Sequence, residues 1–474
     1  MMISILNKGI STLTMVIVGT VYGWTTTSLL HLTSGTGGVP LTLTHDESSW
    51  IVSLTVLGSM IGSLVAVQFA DRCGRKRCLL LCCTIFTLGW FIIYVATSVL
   101  SLYFARVILG IGVGIAYTIN PMYVSEVADI NIRGALGTLI AVNVFTGSLL
   151  TCSLGLWLAY TSLLAALVII SVISFLSNLY FPETPYFLVA KGRNKQACKS
   201  ITYYKGIVDP HEMKIALRAL RPQTIRKLQP QAKSDLSSQS RIILQRSNRK
   251  ALFIMLGLIM AQQLSGHFIT MQYLEVLFSE TTVGIEPNVA TILVLAVGLI
   301  SGSLSTLTVE SLGRRTLLIL STLGSCFTLS ILATYLLLVQ QKFDVSIVSI
   351  LPVIDLILYQ VMFQIGLGTI PNVLLCELFP TELKGFVGAI IVIFDGIIGF
   401  TVSKLYQVIT DNVGSYSIYL IFATSCCLAF LMVYIWIPET KGKKYHEIKA
   451  LLVSNNVNSS KEDVRIDRRD IHTL

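Results

Sequence analysis

DRCGRK at residues 71–76 is a short charged stretch that lies between two apolar runs, at 50–70 and 78–98. Each run is about 20 residues long, which is enough for a helix to cross the hydrocarbon core of a bilayer. A similar stretch, ESLGRR at residues 310–315, separates another pair of apolar runs later in the chain. The two stretches are therefore predicted to be equivalent turns between membrane spans, and the fold is expected to contain a repeat.

The whole chain has the composition of a membrane protein. Its mean hydropathy is +0.74, and 53% of its residues are hydrophobic while 13% are charged. Because a soluble domain carries roughly a quarter charged residues, we predict an all-α membrane protein whose partner is the lipid bilayer. Twelve apolar runs have the length of a span, at 10–30, 50–70, 78–98, 102–124, 136–158, 162–182, 251–278, 288–309, 316–339, 346–376, 386–409 and 415–437.

The positive charges lie in the connections between the apolar runs. The net charge of +10 would by itself suit a nucleic-acid partner. This distribution is instead typical of basic cytoplasmic loops, so no nucleic acid is expected. The segment 191–250 holds 15 Lys and Arg against three acids and is placed in the cytoplasm. Six spans on either side then put both termini on the same side, and we expect a multi-pass plasma-membrane protein.

The same basic segment divides the chain. The expected parts are an N-terminal six-helix half at 1–190, a basic cytoplasmic linker at 191–250, a C-terminal six-helix half at 251–450 and a cytoplasmic tail at 451–474. Within the linker, Lys195–Lys205 and Met213–Lys227 have the composition of amphipathic surface helices. A solvated linker with some helix would have much the same composition, so both interpretations stay open.

Two further motifs occur twice in the same order. An acid followed seven residues later by a base and a glycine occurs at 126–134 and again at 377–385, and Pro-Glu-Thr occurs at 182–184 and 438–440. Three ordered matches at equivalent span ends indicate duplication of a six-helix unit. Two such units with the same orientation are typical of the major facilitator architecture, which places the substrate between the halves near mid-membrane.

The charged residues of these motifs are candidates for a cytoplasmic gate. Basic residues there also satisfy the positive-inside rule, but that rule does not explain the acids or the glycines between them. Acids and bases at one depth can form ion pairs that hold the cytoplasmic side closed and break when the halves rock. The candidates are Asp71, Arg72, Arg75, Glu126, Arg133, Glu310, Arg314, Arg315, Glu377 and Lys384.

These motifs together resemble those of a known family. From about residue 10 to 450 the chain is similar to the sugar porters of the major facilitator superfamily, and most of all to the insect facilitated trehalose transporters. The resemblance implies a facilitative carrier for a sugar, either trehalose or a hexose, that works by alternating access. Besides the stretches above, it is carried by residues 106–112, PETP at 182–185, QQLSG at 262–266 and PETKG at 438–442, with softer matches at 22–24 and 46–50.

The resemblance also places a sugar site in the second half. Gln262 and Gln263 carry amides that can match vicinal hydroxyls, although glutamines in a span can also hold helices together. Tyr273 and Gln364 are further candidate contacts to the sugar.

Several positions depart from the family pattern. Phe268 stands where an asparagine is usual, and Asn372 stands where a tryptophan platform for the sugar ring is usual. The family's asparagines of the eighth and eleventh spans align with Gly298 and Asp395. The sugar site is thus largely rewritten, which predicts weak binding of ordinary hexoses. Phe268 has an opposite interpretation, as an aromatic platform moved from the tenth span to the seventh.

The energy source is expected to be the gradient of the substrate. Proton-coupled relatives carry an acid in the first span, and residues 19–29 contain none. Asp395, Asp355 and His267 nevertheless leave open a proton-coupled carrier of another small polar solute. A non-transporting sensor or receptor on a carrier fold is a further alternative. The sequence shows no catalytic, metal or cofactor motif, so we expect a monomeric transporter without enzyme activity, metal site or cofactor.

Overall fold

The structure is a computed structural model that describes residues 13–35, 39, 41–127, 133–207, 209–217, 220, 245–281, 285–379, 384–441 and 447. Within these ranges it does not describe the side chains of residues 71, 125, 133–139, 205, 246, 306, 307, 309–311, 346, 376, 384–386 and 389.

The first half contains six long helices. They are α1 (Thr14–Ser34), α2 (His45–Cys73), α3 (Arg75–Tyr94), α4 (Val99–Val127), α5 (Arg133–Trp157) and α6 (Tyr160–Tyr180). Two short helices follow, α7 (Pro185–Ala190) and α8 (Asn194–Lys205). The second half contains α9 (Arg246–Leu264), α10 (His267–Gln272), α11 (Leu274–Glu280), α12 (Pro287–Leu312), α13 (Arg314–Gln340), α14 (Leu351–Ile365), α15 (Ile370–Leu378), α16 (Lys384–Val413) and α17 (Ser415–Trp436).

These helices form the twelve predicted spans. Eleven of the described spans are long and apolar enough to cross a membrane. The remaining span is α1, which has 21 residues and carries the polar run Thr25–Ser28. Most side chains of α1 are buried inside the protein, so this helix has little need of an apolar surface towards lipid.

Two spans are interrupted, and both belong to the second half. The seventh span is divided into α9, α10 and α11, and Gly266 between the first two has φ 75°, a left-handed conformation that suits glycine. The tenth span is divided by a turn at 366–369, where the backbone N–H of Leu367 is satisfied by Ser321 Oγ at 3.0 Å. The predicted spans at 251–278 and 346–376 are therefore present, and each is broken at its turn. The breaks were not predicted, because apolar length does not reveal a break whose polar groups find partners inside the protein.

Each half packs tightly, and the halves meet along a seam. In the first half α1 and α5 approach so closely that a Cβ added to Gly19 would lie 2.0 Å from the carbonyl oxygen of Val144. Across the seam, α2 packs against α16, α5 packs against α12, and α1 packs against α10 and α11. The seam thus brings together side chains that are hundreds of residues apart in the chain.

The two ends of the bundle differ in what they carry. We call the end with the α2–α3 and α12–α13 turns the linker end, and the opposite end the far end. At the linker end, α8 is attached to the first half through Tyr204. The Tyr204 hydroxyl contacts the hydroxyl of Tyr123 and donates to the carbonyl of Pro182. The range of α8 includes the first predicted surface helix, Lys195–Lys205. Of the second, Met213–Lys227, residues 213–217 are helical and those from 221 lie outside the described residues.

Candidate functional site

The three repeated motifs meet at one cluster at the linker end of the first half. Arg75 donates from Nε to Glu126 Oε1 at 3.1 Å, and its Nη2 lies 3.0 Å from the same oxygen. Thr184 Oγ1 donates to Glu126 Oε2 at 2.7 Å. Glu183 accepts the backbone N–H groups of Arg75 and Lys76 at 3.1 Å each. The Glu183 carboxylate therefore caps the start of α3, where a helix favours negative charge.

The second half builds the same cluster from the second copy of each motif. Arg314 donates to Glu377 Oε1 from Nε at 3.2 Å and from Nη2 at 2.9 Å. Thr440 Oγ1 donates to Glu377 Oε2 at 2.6 Å. Glu439 accepts the backbone N–H groups of Arg314 at 3.0 Å and Arg315 at 3.1 Å, so it caps α13. The duplication inferred from sequence is thus also a duplication of contacts.

The glycine of each turn makes room for the capping carboxylate. Gly74 has φ 101° and Gly313 has φ 90°, both in the range that favours glycine. A Cβ added to Gly74 would lie 2.3 Å from Glu183 Oε2, and one added to Gly313 would lie 2.8 Å from Glu439 Oε2. The predicted tight turns are therefore present, and the glycines serve the caps as well as the turns.

The two capping carboxylates differ in electrostatic setting. Burial raises the pKa of Glu183, although the backbone N–H groups of Thr184, Lys76 and Arg75 act in the opposite direction. Burial also acts to raise the pKa of Glu439, but four backbone N–H groups outweigh it and the net pKa is lowered. Equivalent positions thus hold carboxylates whose ionised forms are stabilised to different extents.

The remaining gate candidates form no common network. Arg72 is exposed and makes no hydrogen bond with a described residue. Arg315 donates to the carbonyl of Tyr434 at 2.7 Å and lies over its ring. The two motif ion pairs join helices of one half each, and neither crosses the seam. The side chains of Asp71, Arg133, Glu310 and Lys384 lie outside the described residues.

Polar groups from both halves face each other near mid-membrane. Gln263 at the end of α9 donates from Nε2 to Asp395 Oδ1 on α16 at 2.6 Å. Tyr22 on α1 and Tyr117 on α4 interact with each other through their side chains, and both interact electrostatically with Asp395. Gln262 is half-buried and its amide has no partner among the described residues. We call Gln263, Asp395, Tyr22 and Tyr117 the central polar cluster. It contains hydrogen-bond donors and acceptors for a hydroxylated solute.

The rings of Phe268 and His267, both on α10, border the central polar cluster. Phe268 packs edge-on against Tyr22 across the seam, with ring centroids 5.5 Å apart. His267 Nε2 lies 2.7 Å from Gln360 Oε1, and the His267 ring stacks on Phe363 at 3.8 Å. Phe268 thus contributes an aromatic surface at the seam, as the platform interpretation requires.

Gly298 stands where an asparagine of the eighth span is usual, and the structure shows what occupies that space. A Cβ at Gly298 would lie 2.5 Å from Gln360 Nε2 and 3.2 Å from the ring of Phe145 on the other half. The space of a side chain on the eighth span is therefore occupied by an amide from the tenth span. Gln360 was not identified from the sequence, because only the packing of α12 against α14 places it there.

The other predicted sugar contacts are scattered. Tyr273 is buried towards the far end, where its ring packs against Tyr406 at 4.8 Å. Gln364 is buried beside the turn of the tenth span, where its Oε1 would lie 2.7 Å from a Cβ added to Gly368. Asn372 is exposed and makes no hydrogen bond with any residue in the described ranges. The structure therefore brings Gln263, Phe268 and Asp395 together around Tyr22, but not these three.

A buried arginine stands at the core of the first half. Arg106 is 1% exposed, donates from Nε to the carbonyl of Ile51 at 3.1 Å and contacts Thr25 Oγ1 on α1. Its guanidinium also lies 4.8 Å from the ring centroid of Trp24. Among the described residues, no carboxylate forms an ion pair with it. Its charge is instead stabilised by neutral oxygen atoms and an aromatic face.

At the far end the two halves are joined by an ion pair. Lys404 Nζ on α16 lies 2.5 Å from Asp46 Oδ1 and donates to Ser49 Oγ at 2.9 Å, both at the start of α2. The ammonium also lies 4.3 Å from the ring centroid of Trp50, which packs against Phe400. Nearer mid-membrane, Thr26 Oγ1 donates to the carbonyl of Met271 at 2.9 Å. The seam is therefore closed from the middle to the far end.

Known proteins share both this sequence pattern and this fold. A family model described as sugar (and other) transporter matches residues 12–452. The facilitated trehalose transporter Tret1 of Bombyx mori is 31% identical over 93% of this chain and 85% of its own length. The Tret1 protein of Apis mellifera ligustica is 30% identical over 86% of this chain and 80% of its own length.

Solved structures of a bacterial transporter have the same fold. The inward open conformation of the xylose transporter XylE from E. coli superimposes with a TM-score of 0.76, at 21% identity, over 94% of this chain and 98% of that chain. Its partially occluded inward open conformation superimposes with a TM-score of 0.74, at 20% identity, over 92% and 98% of the two chains.

Proposed function

We propose, on the premise that the chain belongs to the sugar (and other) transporter family, that it is a facilitative carrier for trehalose or a hexose. The protein is a multi-pass membrane protein with the twelve-helix major facilitator fold, and its family is one of transporters. The substrate, the passive mechanism and the plasma membrane as its location are our proposals. The curated relatives described above are named for trehalose, which makes that disaccharide the first candidate.

The central polar cluster is the observation that carries this proposal. Asp395 and Gln263 on the second half face Tyr22 and Tyr117 on the first, so a solute at this point contacts both halves. A carboxylate, amides and phenols together accept and donate hydrogen bonds to hydroxyl groups. Phe268 supplies the aromatic surface on which a sugar ring can lie. We therefore propose Gln262, Gln263, Phe268 and Asp395 as the principal substrate contacts.

The topology that we propose places the linker end in the cytoplasm. Helix α8, which belongs to the basic segment 191–250, lies at this end, and cytoplasmic loops are enriched in Lys and Arg. Both termini then face the cytoplasm, and the closed far end faces the outside. We propose that the two motif clusters keep each half rigid at the linker end while the seam between them opens and closes.

Arg106 supports a passive mechanism. A proton-coupled carrier needs a group that gains and loses a proton, and a guanidinium stays charged in proteins. Its hydrogen-bond partner on the first span is Thr25, a hydroxyl that does not titrate in the physiological range. The second candidate is a proton-coupled carrier that uses Asp395, which would accumulate its solute against a gradient.

Uptake into proteoliposomes containing the purified protein tests these alternatives. We expect saturable entry of labelled trehalose or a hexose that stops at equal inside and outside concentrations, with or without an imposed pH gradient. Asp395→Asn should raise KM at least about tenfold, because a charged hydrogen-bond acceptor is lost. Accumulation driven by a pH gradient would replace the passive mechanism, and absence of flux across a sugar and polyol panel would favour a non-transporting sensor.

A further inference from the structure

Glu275 is a carboxyl group buried at the seam between the halves. It lies on α11, its side chain is 1% exposed, and its Oε1 has no hydrogen-bond partner among the described residues. Helix α11 packs against α1 of the other half and against α12 of its own. The carboxyl interacts electrostatically with Cys152 on α5, so it reaches the first half. A buried polar atom without a partner is rare in folded proteins and requires an explanation.

The surroundings of Glu275 favour its neutral form when the seam is closed. Other titratable groups on the helices packed around it are Tyr22 and His31 on α1, His267 on α10 and Glu280 at the end of α11 itself, and the far-end part of α12 has none. Cys152 on α5 also interacts electrostatically with Glu275, and the described residues provide Glu275 with no ion pair. An ionised carboxylate transferred to such a site loses its hydration without compensation, whereas the protonated acid loses much less.

The seam between the halves contains other buried polar side chains. Ser28 Oγ on α1 and Thr410 Oγ1 on α16 are also buried without partners in the described structure. Thr410 lines a small cavity at the far end between the halves, together with Tyr273, Glu280 and His45. Because water would satisfy all these groups once the halves separate, this part of the seam has the chemistry of a cavity that has closed.

We propose that Glu275 is a proton-binding site that must be occupied for the far end of the carrier to close. The proposal rests on the alternating access of the proposed function. With the far end open, water reaches the carboxylate and the ionised form is stable. Closure takes one proton from the far-side solution onto a carboxylate oxygen, and reopening returns it to the same side. No proton crosses the membrane, so the site regulates the rate of a passive carrier without driving accumulation.

The expected signature is a rate that depends on far-side pH and a final distribution that does not. Because one proton is bound on closure, the closed-to-open ratio falls by up to about tenfold for each unit rise of far-side pH where the open-state carboxylate is ionised. Sugar entry from the far side should therefore slow as that solution becomes more alkaline. Glu275→Gln should keep the acidic wild-type rate at every pH, because its amide is always neutral.

Two matched variants locate the effect. Glu286→Gln removes an exposed carboxyl at the same end and should retain the wild-type pH profile. Glu280→Gln removes the neighbouring carboxyl that hydrogen-bonds Ser415 at 3.4 Å, and should also retain it. A wild-type pH profile in Glu275→Gln would overturn the proposal, and a flat profile in Glu280→Gln would assign the pH dependence to Glu280 instead.

Infrared difference spectroscopy tests the site without any transported sugar. The purified wild-type protein near neutral pH should show the carbonyl-stretch band of a protonated carboxylic acid that is absent from Glu275→Gln. Lys404→Met, which removes the far-end ion pair, should weaken that band as the pH rises. A protein that carries no tested sugar but shows this band would refute the proposed function alone. A Glu275 that is ionised in the closed state, with no band lost on substitution, would refute the proton site.

Discussion

The two halves of this protein agree at the linker end and differ in the middle of the membrane. At the linker end, each half has the same arginine–glutamate ion pair with an equivalent threonine donating to its glutamate. An equivalent second glutamate caps the helix that begins at the arginine. In the middle, α1 and α4 of the first half are continuous, whereas the equivalent seventh and tenth spans are broken. The contacts of the repeated motifs are thus the same in both halves, whereas the spans that carry the proposed site have diverged.

This difference assigns separate tasks to the halves. A continuous helix satisfies its own backbone and changes shape little, while a broken span has turns that can adjust. The broken spans carry Gln262, Gln263, Phe268 and Gln360, whereas the first half contributes Tyr22 and Tyr117 from continuous helices. For the proposed site, this difference predicts a fixed wall from the first half and an adaptable wall from the second half.

The largest expected effect tests whether the equivalent ion pairs are equally important. The Arg75 and Glu126 side chains are 6% and 5% exposed, and those of Arg314 and Glu377 are 14% and 23% exposed. Removing one partner of a buried pair costs roughly 3–5 kcal/mol, because the other charge stays buried. Arg75→Ala should therefore lower the thermal unfolding temperature of the purified carrier more than Arg314→Ala does. Exposed Arg72→Ala is the control, and an equal loss there would refute the argument.

The second effect concerns the break in the seventh span. Gly266→Ala would force a side chain into a conformation with φ 75° and place its Cβ 2.1 Å from the ring of Phe422. Strain and overpacking should cost roughly 1–3 kcal/mol of unfolding free energy. Gly388→Ala in α16 is the matched control, because nothing lies within 4 Å of the added Cβ and alanine favours the helix. If both variants unfold at the wild-type temperature, the broken span has no need of its glycine.

A third prediction compares the capping carboxylates under the same substitution. A lowered pKa means that ionised Glu439 stabilises the folded state at neutral pH, and this contribution is lost only below the ordinary value of 4.5, as the pH falls through the lowered pKa. A raised pKa means that ionised Glu183 is a cost at neutral pH, which protonation begins to relieve above 4.5.

Glu439→Gln should therefore destabilise the carrier more than Glu183→Gln does at neutral pH, by about 0.5–1 kcal/mol after allowance for solvent screening. Both variants lose one acceptor oxygen, so their comparison isolates the charge. In unfolding scans at about pH 7.5 and about pH 5, the deficit of Glu439→Gln should stay constant, while Glu183→Gln should change relative to wild type. The reverse order of stabilities would show that burial, not the backbone N–H groups, decides the Glu439 shift.

The smallest effect concerns the contact that joins the two halves. Asp46 is 72% exposed, so its ion pair with Lys404 is worth roughly 0–1 kcal/mol. Asp46→Asn should shift the far end towards opening by no more than about fivefold. Distances between spin labels at Ser34 and Glu286, measured by pulsed electron paramagnetic resonance, report this shift. Lys342→Gln, a substitution at an exposed far-end residue, is the control. A change in unfolding temperature as large as that of Arg75→Ala would contradict the division between rigid halves and a weakly held seam.

The sequence alone determined the number of spans, the duplication and the identity of the family. These features are local: an apolar run of sufficient length, a charged turn and a short motif can be read without knowing what lies across the bundle. Gly74 and Gly313 were predicted as turn residues for this reason, and Asp395 was identified as an unusual charge within a span.

Only the tertiary structure decided which of these residues meet. It placed Glu183 of the third motif on the start of α3, filled the space at Gly298 with the amide of Gln360, and left Arg106 with a hydroxyl partner. It also revealed Glu275, whose burial at the seam depends on helices from both halves. Hydropathy reports the average environment of a helix, whereas these contacts join residues far apart in the chain, and their energies depend on the position of single atoms.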